Sequence, residues 1–379
     1  MGLLRGLGIF IVILILLFVA FSIYRTDSGF FTKKLTISQG NSTYPQLEST
    51  ENNSSLQNAL WSYGDTGSGW TGADGTYSLA LPNGTTLWIF DDTYLGYGFN
   101  PNNDTRDQNS PYVHNSIVLE NNGRFITTII GNDNGMNNAL IYQNNSSYWF
   151  WPGPAMINGN TVQILMGNFS AGYAFHGTYL AVLNLSDLAV EKVLRVSTSM
   201  VQWDQWIYRD GSWTYIFGIY NNTADAYVAR VSGTNLLQSW QFYSSSGWTS
   251  VESDATPFFN YAANGYSVTK IQNYFVLVTT DATSYPLSVF DGKILAYFSD
   301  SITGPYTSSE LIYNTTPEID AYSDNSSIYT VWTYGPHVQY TGSNWFVLSY
   351  NMNDISTLHD YTIPNATVYR PRFINVYFS

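Results

Sequence analysis

Three aspartates crowd one short stretch of the chain, WTGADGTYSLALPNGTTLWIFDDTYLG from Trp70 to Gly96: Asp74, Asp91 and Asp92. Charged residues make up only 11% of the sequence, so carboxyls this close together, each at a turn or strand end, call for a reason. A carboxyl pair does acid–base chemistry when burial or a like-charged neighbour keeps one member protonated at working pH. Hydrolysis of a glycosidic bond needs such a pair, about 5–5.5 Å apart for retention or about 6.5–9.5 Å for inversion. Asp204 lies between two tryptophans in QWDQW, a setting that could desolvate it, and Glu252 stands in SVESDATPFF. Asp74 with Asp204 or Glu252 is the candidate catalytic set. The plain alternatives are Asp74 as an Asp-Gly turn residue and Asp204 as an exposed strand-end acid.

Residues that could bind substrate surround this set. Trp70 and Trp151 are candidate stacking platforms, although most of the 12 Trp and 31 Tyr are expected to fill the core. Asp92 in FDDT could hold a ligand or lock its own loop. His337 in YGPHV could bond a sugar hydroxyl or ligate a metal, with His114 a weaker candidate. The GNDNG run, Gly131 to Gly135, offers oxygen ligands for Ca²⁺ but lacks the EF-hand spacing, so a plain turn is the simpler expectation. No cofactor motif is present: there is no phosphate loop, HExxH or Ser-His-Asp order, and with no cysteine no thiolate site or disulfide.

The elements that must position these residues are strands. From Trp61 onward, runs such as TYSLAL, TTLWIF, TVQILM, TYIFGIY, YFVLVTT and WFVLSY alternate with period two between Gly, Asn, Asp and Pro. No convincing helical face follows the N-terminal segment, which predicts an all-β domain. Five hairpins recur about 50–80 residues apart: SLALPNGTTLWIF, PAMINGNTVQILM, WIYRDGSWTYIFG, YSVTKIQNYFVLVTT and HVQYTGSNWFVLSY. That repetition predicts a five-bladed β-propeller, with a β-sandwich as the alternative. Asp74, a Trp151–Pro154 turn, Asp204, Tyr266 and His337 would lead into the innermost strands, and Asp92, Asn168, Asn221, Asp281 and Asn351 would end the second strands at the same rim.

Ahead of these strands, an uncharged run, GLGIFIVILILLFVAFSIY between Arg5 and Arg25, spans about 28 Å as a helix. It predicts a signal-anchor transmembrane helix over residues 1–25, followed by a polar stalk over 26–58 and the propeller over 59–379. Candidate glycosylation sequons at Asn41, Asn83, Asn103, Asn145, Asn168, Asn184, Asn221, Asn314, Asn325 and Asn365 put the C-terminal domain outside the cell membrane. The net charge is −13, and it becomes −16 once Arg5, Arg25, Lys33, Lys34 and Asp27 are set aside with the anchor. That argues against nucleic acid as a partner.

The W-T-G-A-D-G-T-Y-S hairpin followed by F-D-D-T resembles the first blade of a domain-of-unknown-function family of five-bladed propellers related to glycoside hydrolases. HNSIVLE, YWFWPGPAMINGN, FSDSITGPYTS, YGPHVQYTGSNWFVLSYNMN and YRPRFINVYF match in the same order over nearly all of residues 61–379. The resemblance implies kinship with furanosidase-type enzymes such as arabinanases, xylosidases and fructosidases. These place a base or nucleophile, a pKa-tuning partner and a general acid around the funnel. Asp74 would hold the first position. The second-blade sequence WPGPAMI has no carboxylate, which departs from the pattern. The expected function is therefore glycan binding by a membrane-anchored propeller. The alternatives are glycoside hydrolysis through Asp74 and a glycosylated structural protein of the cell envelope.

Overall fold

The computed structural model describes residues 44–96, 98–107, 109–220, 222–283, 291–322, 331–354 and 366–379. The expected anchor, the first part of the expected stalk, Asn41, Asn221, Asn325 and Asn365 lie outside these residues. Among the described residues, no helix is long and apolar enough to cross a membrane.

Each of the five hairpins expected from the sequence forms and is extended into an antiparallel sheet. The first sheet comprises Tyr77–Ala80, Thr85–Phe90, Ser116–Asn121 and Arg124–Ile129; the second, Tyr148–Asn158, Thr161–Ser170, Ala174–Asn184 and Val190–Ser197. The third has five strands, Gln202–Asp210, Trp213–Tyr220, Asp225–Ser232, Gln241–Ser244 and Gly247–Thr249. The fourth runs Ser267–Ile271, Tyr274–Thr280, Lys293–Ser299 and Ser308–Asn314. The fifth contains Val331–Thr341, Trp345–Asp354 and Arg372–Phe378, and its outer strand is Leu47–Asn52, the first strand of the described residues.

Packing between sheets explains the composition. The second strands Thr85–Phe90, Thr161–Ser170, Tyr274–Thr280 and Trp345–Asp354 are buried almost continuously, because both their faces meet a neighbouring sheet. Separate apolar cores lie between the first and second sheets (Ile89, Val162, Ile164), the second and third (Leu165, Leu180, Ile216) and the third and fourth (Phe217, Val228, Leu277). Two more lie between the fourth and fifth (Val276, Phe298, Leu348) and between the fifth and first (Val347, Phe373, Trp88). The first strands follow the same cycle: Tyr77–Ala80 packs on Tyr148–Asn158, and so on around to Val331–Thr341, which returns to Tyr77–Ala80. A two-sheet sandwich would bury one shared core and does not account for this cycle.

Three sequence expectations need correction. The stretch 47–58 is not stalk: Leu47–Asn52 pairs with Arg372–Phe378, Leu47 opposite Phe378 and Asn52 opposite Ile374. A helix, Ser54–Asp65, follows, capped by Asn53 Oδ1 accepting from Leu56 N at 3.1 Å. Leu60 and Tyr63 of that helix are buried against Trp70 and Phe90, a role that a single apolar stripe among Ser, Asn and Gln conceals. Second, Trp151–Pro154 is no turn but lies inside a strand, at a register shift between Pro152 and Ala155. Third, Asn168 is 3% exposed and its side-chain amide donates to Trp149 O at 3.2 Å, so the nitrogen that would carry a glycan is committed inside the sheet. Asn83, Asn103, Asn145 and Asn314 are exposed, and Asn184 is half-buried.

Candidate functional site

A three-stranded ribbon beside the first sheet gathers the carboxyls. Its strands are Trp70–Ala73, Thr93–Leu95 and Tyr112–Val113, with Ala73 opposite Thr93 and Thr93 opposite Val113. Asp74 leaves the first strand where Asp92 enters the second and His114 leaves the third. Strand geometry thus aligns three polar side chains along one edge, and this is why the Asp74 and Asp91–Asp92 segments recur so close in sequence.

The arm carrying Asp74 is held carbonyl by carbonyl. Thr71 O accepts from Arg370 Nε at 2.6 Å and Arg106 Nη2 at 3.3 Å, two guanidiniums that are 1% exposed. Ala73 O accepts from Asn351 Nδ2 at 3.3 Å, Asp74 O from Asp91 N at 3.0 Å, and Thr76 O from His337 Nδ1 at 3.0 Å and Gln339 Nε2 at 2.9 Å. Most of these donors belong to the fifth sheet and the segment that leads into its last strand.

Asp74 is half-buried, and its Oδ2 accepts from Tyr334 Oη at 3.0 Å, with the Tyr369 hydroxyl also directed to it. Desolvation, then the charge of Asp92, pushes its pKa up to about 7 despite those donors. Asp91 turns inward. Gly75 has φ +78°, and a Cβ there would lie 2.5 Å from the Asp91 Cγ and Oδ2, so only glycine seats this carboxyl. Desolvation, followed by Asp74, Asp92 and Asp204, raises Asp91 well above the ordinary aspartate value.

Asp204, in a first strand whose register shifts between Gln202 and Trp206, completes the group. Its Oδ1 accepts from Gln205 Nε2 at 2.8 Å and its Oδ2 from Gln202 Nε2 at 3.4 Å; desolvation nevertheless lifts its pKa to about 7. Gly153 of the second sheet leaves no room for any side chain beside Asp204. A Cβ at Gly153 would stand 2.0 Å from Asp204 O, so the third sheet's backbone occupies that space. The Tyr77 hydroxyl feels Asp91, Asp204 and Asp74 together, which places it among all three.

Rings wall the rim. Trp151 Nε1 donates to Asp92 Oδ1 at 2.8 Å, and His114 Nδ1 lies 2.8 Å from the same oxygen. His114 stacks on Trp149 at 4.8 Å, and Trp151 on Tyr173 at 5.8 Å. Tyr112 and Tyr173, 40% and 57% exposed, present open faces beside the acids. Both hydroxyls feel the charges of Asp92 and Asp74.

The structure therefore brings together Asp74, Asp92, Asp204 and Trp151, and separates the remaining candidates. Trp70 is fully buried under the helix Ser54–Asp65, so it has no face for a ligand. His337, 1% exposed, packs against Tyr77 at 4.0 Å and Trp206 at 5.5 Å, between the first strands of the first, third and fifth sheets. Burial pushes its pKa down to about 4, and Nδ1–H is spent on Thr76 O. Tyr266 is likewise core, its hydroxyl bonded to Gly218 O at 2.8 Å. Glu252 braces a loop: its Oε1 accepts from Ser197 and Ser199 at 2.6 Å and from the Trp203 indole at 2.7 Å. The Trp203 ring packs with Trp240 and Phe242 in the core between the second and third sheets, which sets Glu252 apart from the acids.

The GNDNG run is a hairpin turn in which Asn132 Oδ1 accepts from Gly135 N at 2.9 Å. Among the described residues, no group of three His, Cys, Asp or Glu side chains could hold a metal ion. A 240 Å³ recess lined by Gly67, Leu95, Pro111 and Thr128 contains none of the acids. Sequence reasoning named Asp91 without giving it a role and missed Tyr112, Trp149, Tyr173, Tyr334 and Tyr369. None of these five rings carries a local signal that sets it apart from the other aromatic residues.

A family profile described as "Domain of unknown function (DUF5005)" matches residues 57–378. The chain belongs to the DUF5005 family. Its match begins inside the helix Ser54–Asp65 and so leaves out the Leu47–Asn52 strand that closes the fifth sheet. No curated protein sequence matches the chain. Among solved structures, a candidate hydrolase from Bacteroides ovatus is 20% identical, with TM-score 0.69 over 91% of this chain and 97% of that one. This likeness establishes a shared fold for the DUF5005 region. More distant are an exo-β-1,3-galactanase from Phanerochaete chrysosporium (12% identity, TM-score 0.48, 82% and 62% coverage) and a GH43 β-xylosidase/α-arabinofuranosidase from a compost microbial metagenome (10%, 0.46, 88% and 95%).

Proposed function

We propose that the described region is a five-bladed propeller that binds a glycan over the Asp74 rim and hydrolyses one of its glycosidic bonds. Five sheets whose cores and first strands form a closed cycle support the blade count. The observation that carries the function is the convergence of Asp74, Asp91, Asp92 and Asp204 beneath a wall of rings. Asp74, with two tyrosine hydroxyls to stabilise its charge, serves as base or nucleophile. Asp204 serves as general acid, passing its proton to the leaving oxygen as the glycosidic C–O bond breaks. Asp74 either takes a proton from the water that attacks the anomeric carbon, or bonds to that carbon itself, in which case water, deprotonated by the now ionised Asp204, then displaces Asp74 and frees the sugar. With both acids near 7, the useful combination of one ionised and one protonated group is most populated around neutral pH.

The test is an oligosaccharide panel scored for binding and for released sugar. Asp74→Asn and Asp204→Asn should each lose about 10²–10⁴-fold in turnover while keeping ligand. Binding without release by the wild type would leave a glycan-binding module, a reading favoured by the lack of a carboxylate in WPGPAMI. Neither binding nor release on a broad panel would remove the carbohydrate reading. We further place residues 1–25 in the membrane with the domain outside; the uncharged run between Arg5 and Arg25 supports this. Alkaline extraction of membranes, with protease access to intact cells, tests it: release at high pH, or a protected domain, would refute it.

A further inference from the structure

We propose that Asp91 is the member of the Asp74–Asp91 pair that keeps the proton, a positioning residue that holds the negative charge on Asp74. The inference rests on the hydrolytic reading above for its consequence, but on packing for its substance. The two residues are joined back to back, Asp91 N donating to Asp74 O at 3.0 Å. The hydrogen-bond donors are unevenly divided between the four carboxyls. Asp74 faces the Tyr334 and Tyr369 hydroxyls; Asp92 faces the Trp151 indole and His114; Asp204 faces Gln202 and Gln205. Asp91 Oδ1 and Asp74 Oδ1 are both out of solvent contact without a hydrogen-bond partner among the described residues, so what separates the two acids is the pair of tyrosine donors on Asp74. The Asp91 Oδ2 and Cγ lie so near Gly75 that a Cβ there would come within 2.5 Å of both, and no hydrogen-bond donor stands on that side among the described residues.

A carboxylate without donors in such a place would be heavily penalised, whereas the neutral acid is tolerated. The groups facing Asp91 add to the bias: Asp74, Asp92 and Asp204 repel a charge there, and the Tyr77 and Tyr334 hydroxyls around it are raised by burial and then by these acids, so they stay neutral. His337, beyond Thr76, is neutral and offers no compensating charge. One shared negative charge therefore settles on Asp74, where the tyrosines are, and a proton remains on Asp91. The arrangement presents Asp74 to substrate ready as base or nucleophile.

The experiment is a carbon-13 NMR titration of aspartate side-chain carboxyls in the full-length chain, wild type against Asp91→Asn, from pH 5 to 9. Asparagine copies the shape of the neutral acid. The expected result is one carboxyl that stays in the acid form beyond the titration of Asp74 and whose signal vanishes in Asp91→Asn. If the vanished signal instead titrates below Asp74, the charge lies on Asp91 and the proposal fails. Should Asp91→Asn not fold, Tyr334→Phe removes a donor from Asp74 alone. Asp74 should then titrate at higher pH, and an unmoved Asp74 overturns the reasoning. These readouts need no turnover, so they stand even for a chain that releases no sugar. Where sugar is released, the pH profile of kcat in Asp91→Asn should still follow the titration of Asp74 read by NMR; a profile that loses that limb would make Asp91 the working base.

Discussion

Replacing Asp204 by asparagine should stabilise the protein progressively as pH rises. The folded pKa of Asp204 is raised from 3.8 to about 7, mainly by desolvation. The unfolded chain gives up this proton at the ordinary aspartate value, while the folded chain keeps it to about 7. Across that window the folded state binds the extra proton, so its stability is complete below the unfolded pKa and is lost as pH rises through the folded one. Wild-type stability thus falls by about 1.4 kcal/mol per pH unit, roughly 3 kcal/mol between pH 5 and 7 and little beyond. The asparagine side chain does not titrate, so the variant escapes this loss. It does meet the amides of Gln202 and Gln205 less well, but that cost is the same at every pH and cancels in the comparison. At about 2 °C per kcal/mol, the Tm difference between Asp204→Asn and wild type should grow by about 6 °C from pH 5 to pH 8. Thermal unfolding followed by tryptophan fluorescence across that range is the assay. A constant offset, or one that shrinks, would refute a buried, desolvated Asp204 and with it the general-acid assignment.

Other substitutions separate the rim from the core. Trp70→Ala should cost about 3–5 kcal/mol of stability with no effect on ligand affinity per folded molecule, whereas Trp151→Ala should weaken affinity about tenfold or more; thermal unfolding and calorimetric titration distinguish them. Glu252→Ala should cost about 1–3 kcal/mol, because three donors lose their acceptor, while turnover per folded molecule stays unchanged. Deleting Leu47–Asn52 should bare the edge of Arg372–Phe378, seen as a lower Tm and faster amide exchange along 372–378; slow exchange there would contradict the terminal pairing.

What the sequence disclosed followed from local rules. The five hairpins were readable because Gly, Asn or Asp marks each turn and the flanking strands alternate. LESTEN, in contrast, is polar and half-exposed, and only its pairing with a segment more than 300 residues away makes it a strand. Trp70 looked like a loop platform because the helix that covers it has just one apolar stripe, Leu56, Leu60 and Tyr63. The functional value of the acids depended equally on distant partners. Asp74 and Asp92 were visible beside turns, but Tyr334 and Tyr369 lie far along the chain among 31 tyrosines with nothing local to single them out. Asp91 and Asp92 differ in role because consecutive residues leaving a strand point to opposite sides, one towards Gly75 and the other towards Trp151.

The Leu47–Asn52 and Arg372–Phe378 strands and the site are one assembly. Asp74 stands near the start of the described chain, yet Tyr334, His337, Gln339, Asn351, Tyr369 and Arg370 fix its arm or its carboxyl. These residues are placed by the fifth sheet and the turn before its last strand, and that sheet is complete only when Leu47–Asn52 joins Arg372–Phe378. Opening the terminal pairing would therefore loosen the donors that set the charge on Asp74 before it disturbed Asp204, which is held by the second and third sheets. Damage to that pairing should accordingly appear first as a shift in the titration of Asp74, with Asp204 unmoved. Equal shifts in both would mean that the ring of sheets loosens as a whole and that the fifth sheet has no special hold on Asp74.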